Sequence, residues 1–279
     1  MVVGEGAKVQ SGARSSGFDP TMPNEARIMD YMLGGKDNFA ADRAAAERAL
    51  TLAPELPMMA RESRGFLNRA VRFMAAAGIR QFVDVGCGLP TQGSVHEAAR
   101  ATAPDARVVY VDHDPLVVNH AQALLPDSSR TAVIRADMRD PDELLAHPRL
   151  TELVDLTQPV GILLVGVLTV IPEDDVALRV VQGFRRAIAS GSHVAITHPI
   201  SDTRPEVTEK LAELYQDELI VRGSRRRNVR TLADVEPYFE GLQIAEPGIV
   251  KVPAWRPDSG VPAVDPESFW AIAGVGRKP

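Results

Sequence analysis

The stretch FVDVGCGLPTQ (82–92) carries an apolar run into an acid, Asp84, and then into two glycines, Gly86 and Gly88. That order of residue types is how a buried parallel strand passes into a loop whose bare backbone approaches a nucleotide. The dinucleotide fingerprint asks for a third glycine at position 91, but Thr91 stands there, so the pyrophosphate loop is incomplete. A carboxylate two residues before the first glycine repels a pyrophosphate and attracts an ammonium. A second acid, Asp112, ends VVYVD, where it can receive both hydroxyls of a ribose. A third, Asp137 in IRADMRD, closes the next apolar run, near where an adenine would lie. Three strand-end acids around a glycine loop suit a ligand with a ribose, an amine and little phosphate. S-adenosylmethionine fits that description and NAD does not.

Such acids need strands to present them. Strand-like runs occur at QFVDV (81–85), RVVYVD (107–112), TAVIRAD (131–137), VGILLVGV (160–167) and HVAITHP (193–199). Helical segments lie between them: SVHEAARAT, PLVVNHAQALL, DPDELLAH and DDVALRVVQGFRRAIA. The alternation predicts βαβ units and a mostly parallel, doubly wound α/β sheet, its ligands beyond the carboxyl ends of the strands. A helix is expected over 203–221, and LQIAEP and SFWAIAGVGRK can add strands at one edge. The continuous apolar character of ILLVGV makes that strand central. Upstream, EARIMDYMLGG, NFAADRAAAERAL and RESRGFLNRAVRFMAAAG read as helices, the last with an apolar face closed by Gly78. We therefore expect a disordered Gly- and Ser-rich tail (1–22), a helical cap or lid (23–78) and a cofactor-binding domain (79–279).

The whole chain sets the setting. Its 279 residues are 45% hydrophobic and carry a formal charge of −6, so nothing global points to nucleic acid or an anionic membrane. The longest apolar run, 159–172, is too short to span a bilayer, and the N-terminus lacks the apolar core of a signal peptide. The single cysteine, Cys87, cannot form an internal disulfide and suits a reducing cytoplasm. No pair of Cys or His residues has metal-ligand spacing, so no metal is expected.

Together DVGCGLP, YVDHDP and RADMRD resemble the first three motifs of class I S-adenosylmethionine-dependent methyltransferases. Longer stretches narrow the likeness: ARIMDYMLGGKDNFAADR (26–43), QFVDVGCGLPTQGSVHEAA (81–99), VVYVDHDPLVVNHAQALL (108–125), GSHVAITH (191–198) and the tail PAWRP…GVGRK. With these the chain resembles the actinobacterial S-adenosyl methyltransferase family of the DUF574 type, from about Pro23 to the C-terminus. The resemblance implies a Rossmann-like sheet of seven strands, the last antiparallel, under an N-terminal helical lid, with S-adenosylmethionine as cofactor. It implies no particular substrate. Carried over residue by residue, Asp84, Gly86, Cys87 and Gly88 line the methionine part, Asp112 holds the ribose, and His113 flanks the adenine. Ala136, Asp137 and Met138 meet the adenine edge and face, and Val165 is a further cofactor contact. The turn YMLGGKDNF, with Tyr31, Gly34, Gly35, Lys36 and Asp37, folds over the cofactor and brings Lys36 to its carboxylate.

Bland roles compete for several of these. Asp84 can cap a loop, Asp112 can be a solvated strand-end charge, and Lys36 and Asp37 can form a surface ion pair. Asp114, before Pro115, reads as the N-cap of the next helix. Methyl transfer from a sulfonium needs alignment more than acid–base help. The candidates for a base are Thr169 and His198. A family pattern of histidine just after the fourth strand is broken here by Thr169 in VLTVIP, and threonine is no base near neutral pH. The run RGSRRRNVR (222–230) is either a solvated loop or a clamp for an acidic group of a small-molecule substrate. It lacks the interleaved aromatics of a nucleic-acid surface. Trp270 reads as core of the last strand, and Trp255 as packing of a loop. Three functions remain open: a small-molecule methyltransferase, a catalytically silent S-adenosylmethionine-binding regulator, and an NAD-dependent oxidoreductase.

Overall fold

A computed structural model describes residues 19–90, 93–125, 129–219 and 229–279, with only the backbone for 216–219. The strands are β1 (Gln81–Val85), β2 (Arg107–Asp112), β3 (Thr131–Arg135), β4 (Gly161–Val165), β5 (His193–Pro199), β6 (Gln243–Ile244), β7 (Val250–Lys251) and β8 (Ala271–Arg277). They form one sheet in the order β3-β2-β1-β4-β5-β8-β6, with β7 also paired to β8. β1 to β5 run parallel, and β8 lies antiparallel to β5. This is the Rossmann-like sheet with an antiparallel closing strand that the resemblance implied, with the two-residue β7 as an addition.

The helices are α1 (Glu25–Met32), α2 (Ala40–Leu52), α3 (Leu56–Ala76), α4 (Val95–Arg100), α5 (Pro115–Leu124), α6 (Pro141–Leu145), α7 (Pro148–Leu153), α8 (Asp174–Ala187), α9 (Pro205–Leu219) and α10 (Leu232–Val235). α3 starts five residues earlier than the RESRGF pattern suggests, because Pro57 sits in its first turn, where a missing N–H costs nothing. α7 and α10, each six residues or fewer, are too short for periodicity to reveal. LQIAEP yields only the two residues of β6, both exposed at the sheet edge.

Strand alternation divides the core. Phe82, Val108, Tyr110, Leu163 and Ala195 face a layer built on α3, α4 and α5. Their neighbours Val83, Val85, Val109, Val111, Ile162, Leu164, Val194 and Ile196 face α6, α7 and α8. Asp84, two residues from Phe82, therefore points to the α3 side. α3 buries Met59, Phe66, Leu67, Ala70, Val71 and Met74 along one stripe and packs on β4, β5 and α4. α1 packs on α2, and α2 on α9. Trp255 is fully buried in this layer, edge-on to Phe66 at 5.2 Å and Phe73 at 5.7 Å. Trp270 is buried just before β8 and donates its ring N–H to Glu55 at 3.1 Å.

Candidate functional site

At the carboxyl end of β1 the chain turns sharply. Gly86 and Gly88 have φ of 68° and 62°, the left-handed region that side chains resist. The amides of Gly86 and Cys87 both donate to the Val111 carbonyl on β2, at 2.8 and 3.1 Å. Gly88 N–H then donates to Asp112 Oδ2 at 3.1 Å, while Asp114 N–H donates to Asp112 Oδ1 at 3.0 Å. One carboxylate thus fixes both the glycine loop and the turn that opens α5, and each oxygen keeps a second lone pair. A side chain on Gly86 would strike Val167, whose Cγ2 would lie 2.1 Å from the added carbon; beside Gly88, among the described residues, only Arg64 comes within 4 Å.

Asp84 is 4% exposed, and its carboxyl is pushed up to about 7, chiefly by burial, against the pull of Arg64 and with a further push from Asp112. Arg64, on α3, reaches over the loop toward the carbonyls of Cys87 and Leu89, at 3.4 Å each. Burial and the two acids raise the Cys87 thiol well above its usual value, so it stays protonated and is no nucleophile. His113 is exposed, its ring 3.5 Å from Asp112 Oδ1. Ala136 donates its N–H to the Asp112 carbonyl at 3.1 Å, and Met138 is buried. Asp137 lies two residues beyond β3 and not at its last position; Arg139 grips both its oxygens, which lowers its pKa. Val165 is the last residue of β4 and is half-buried.

α1 and its turn stand over this end of the sheet. Asn24 caps α1, accepting from Arg27 N–H at 3.2 Å, and its amide bonds to Asp114 Oδ2, which ties the lid to the site. Asp114 itself caps α5 through Leu116 N–H at 2.7 Å, as its place before Pro115 suggests. Asp42 gathers Asn24 N–H, Phe39 N–H and the buried Arg27 guanidinium at 2.7–2.9 Å. In the turn, Gly34 adopts φ 81°, and Gly35 packs onto the buried Asp30 carboxylate. Asp37 and Lys36 are both exposed, and Asp37 bonds to His120 on α5 at 3.2 Å. Tyr31 is half-buried and reaches Glu47 at 3.4 Å.

Two further groups were not anticipated from sequence. Glu25, at the head of α1, is exposed. Enclosure by protein, then the charge of Asp112, pushes its carboxyl up to about 7. Tyr215 of α9 is pushed up to about 12 by burial and by Glu25. Nothing in the spacing of these residues marks them, since α1, α9 and β2 meet only through the fold. Arg64 is likewise one of several polar residues of the amphipathic α3, a weak signal.

The two base candidates fare alike. Thr169 sits on a 3-10 turn and donates its hydroxyl to the Gly166 carbonyl at 3.0 Å. His198 is fully buried: Nδ1 donates to Pro199 O at 2.6 Å and Nε2 accepts from Arg230 at 3.1 Å. Burial above all pulls its pKa down to about 4, so the ring is neutral and offers no lone pair to a ligand. In this arrangement both ring nitrogens of His198, expected as a base, are engaged. Thr91, residues 222–228 of the basic run and residues 1–18 of the expected tail lie outside the described residues. Among the described residues no group of three or more His, Cys, Asp or Glu is placed to hold a metal, and no helix is long and apolar enough to cross a membrane.

A parallel sheet whose first strand ends in a glycine loop, clamped by the acid that ends its neighbour, defines the Rossmann-like class of nucleoside-cofactor proteins. Within that class the family is explicit. The model of the S-adenosyl methyltransferase family matches residues 11–279, and the chain belongs to that family. A protein of Thermobifida fusca YX classed as a methyltransferase is 43% identical with a TM-score of 0.85, over 92% of this chain and 96% of its own. A DUF574 family protein of Streptomyces avermitilis is 37% identical with a TM-score of 0.86, over 94% and 99%. The plantazolicin methyltransferase BpumL, in complex with SAH, shares the fold at 13% identity and a TM-score of 0.50, over 91% of this chain and 95% of its own. No curated protein matches the chain. The cofactor of this family is S-adenosylmethionine, and the residues present fit it. The glycine loop presents bare backbone at Gly86 and Gly88, and the site combines a guanidinium with a desolvated carboxylate.

Proposed function

We propose that the protein is an S-adenosylmethionine-dependent methyltransferase acting on a small-molecule acceptor. The observation that carries this reading is the clamp of Asp112 on Gly88 N–H, beside a buried Asp84. When bound, the cofactor supplies a methyl group activated on a cationic sulfur. Asp112 accepts from the ribose hydroxyls with the lone pairs that the two amides leave over. Asp84 receives the ammonium of the methionine part, which restores the charge that burial disfavours. Arg64, near the same loop, pairs with the carboxylate, a task that the exposed Lys36 is less well placed to perform. Gly86 and Gly88 keep the backbone bare, Met138 and Ala136 flank the adenine, and α1 with Tyr31 and Glu25 roofs the site and excludes water. Transfer then rests on alignment, because neither Thr169 nor His198 is free to take a proton. The lone buried thiol and the net charge of −6 favour a cytoplasmic setting and a substrate other than nucleic acid.

That neither expected base is free favours a second reading, a cofactor-binding protein without turnover. Calorimetric titration with S-adenosylmethionine, S-adenosylhomocysteine and NAD tests what both share: micromolar binding of the first two and silence of NAD is expected. Release of S-adenosylhomocysteine over a panel of small amines, thiols and phenols separates enzyme from silent binder. Binding of NAD alone would overturn both readings.

A further inference from the structure

Arg230 lies outside the cofactor loop, yet its side chain is only 1% exposed and every nitrogen is used. Nε donates to Asp174 Oδ1 at 2.9 Å, Nη2 to the Ile171 carbonyl at 2.7 Å, and Nη1 to the Leu168 carbonyl at 3.2 Å and His198 Nε2 at 3.1 Å. Its own carbonyl receives Ser201 N–H at 2.9 Å. A guanidinium enters a protein interior only where its donors are met, and a fixed fork that reaches two carbonyls of one short turn fixes that turn. The turn runs from the end of β4 through Leu168–Val170 to α8. Between β4 and that turn stands Val167, whose side chain fills the space beside Gly86 where a Cβ would sit. Contacts therefore run unbroken from the Arg230 fork through Leu168 and Ile171 to Val167, and from Val167 onto the loop that leaves β1.

We infer that Arg230 is a positioning residue for the cofactor site, holding the turn after β4 so that Val167 closes on Gly86. This rests on the reading of the Gly86–Gly88 loop as the cofactor loop. A residue that merely filled the core would be replaceable by any side chain of its volume; one that acts through Val167 must be coupled to it.

The test is a double-mutant cycle on S-adenosylhomocysteine affinity, measured by calorimetry on the full chain: wild type, R230M, V167A and the pair. R230M is expected to weaken binding roughly tenfold or more, and the pair to be no weaker than the worse single variant, because both remove one contact path. R230K keeps the charge without the fork and is expected to fall between wild type and R230M. Should R230M not fold, R230K carries the cycle in its place. In wild type, ¹⁵N spectra of His198 should show Nδ1 protonated and Nε2 as acceptor at pH 6, and this signature should be lost in R230M. Additive losses, or a folded Arg230 variant that binds like wild type, would overturn the inference while leaving the proposed function standing. Wild type that binds no S-adenosylhomocysteine would bring down the proposed function and the role of Arg230 with it.

Discussion

Asp112 shows how much one side chain does at this site. Its two oxygens hold the amides of Gly88 and Asp114, so it organises the loop before any ligand arrives. Removing it should cost both the ribose contacts and the loop's shape. D112A is expected to weaken S-adenosylhomocysteine binding about 100-fold, as loss of two charge-assisted hydrogen bonds would. D112N should lose less, since its amide oxygen still accepts from one N–H. Calorimetry at a temperature well below unfolding checks this, and equal affinity in all three proteins would remove Asp112 from the site. The position of this acid was legible because strand-end acids beside a glycine loop are a local pattern. Arg64, Glu25 and Arg230 were not legible. Each reaches its partners across 23 to 87 positions of sequence, which no spacing rule encodes.

Among the elements, the turn after α1 carries the clearest test. A Cβ on Gly35 would lie 2.0 Å from Asp30 Oδ1, whereas Gly34 has open space but a φ of 81°. The Asp30 carboxylate in turn accepts Asp37 N–H at 2.8 Å and the Asn38 amide at 2.9 Å. Gly34→Ala should therefore cost about 1–2 kcal/mol of local backbone strain. Gly35→Ala should cost more, because it evicts the acid around which the turn is wound. Hydrogen exchange at Gly35 and Asp37 should accelerate in both variants, most in Gly35→Ala, while β1 and β4 keep their protection. Uniform protection in Gly35→Ala would mean that the turn does not depend on Asp30. The glycine pair was visible in sequence as a turn. That its second member is demanded by a buried carboxylate, and not by backbone angle, was not. The parallel strands and long helices were legible from period and apolar runs. The start of α3 and the short α7 and α10 were hidden by Pro57 and by brevity.

For the whole molecule, two buried groups oppose each other in pH. Asp84 holds its proton up to about pH 7 in the fold, against an ordinary 3.8. Across that window the native state carries a proton that the unfolded chain lacks, so stability falls as pH rises. Glu25 acts in the same sense above 4.5. His198 is the reverse: it is neutral down to about pH 4 against an ordinary 6.5, so the unfolded chain takes the extra proton and stability rises with pH. The ceilings are similar, about 4 kcal/mol for Asp84 and about 3 kcal/mol for His198, at roughly 1.4 kcal/mol per pH unit. Between pH 4.5 and 6.5 His198 offsets Asp84, and Glu25 leaves a net fall of stability as pH rises. Melting temperature measured across that range should fall gently with pH in wild type, be nearly flat in D84N and fall steeply in H198Q. D84N should also melt several degrees above wild type at pH 8, where a buried charge is no longer forced on the fold, and yet bind S-adenosylmethionine far more weakly. Such a trade, stability gained where affinity is lost, is the signature of an acid kept buried to receive a cation. A D84N protein that gains stability and binds the cofactor undiminished would make Asp84 a strained structural residue and move the ammonium site elsewhere, with Glu25 the first place to look.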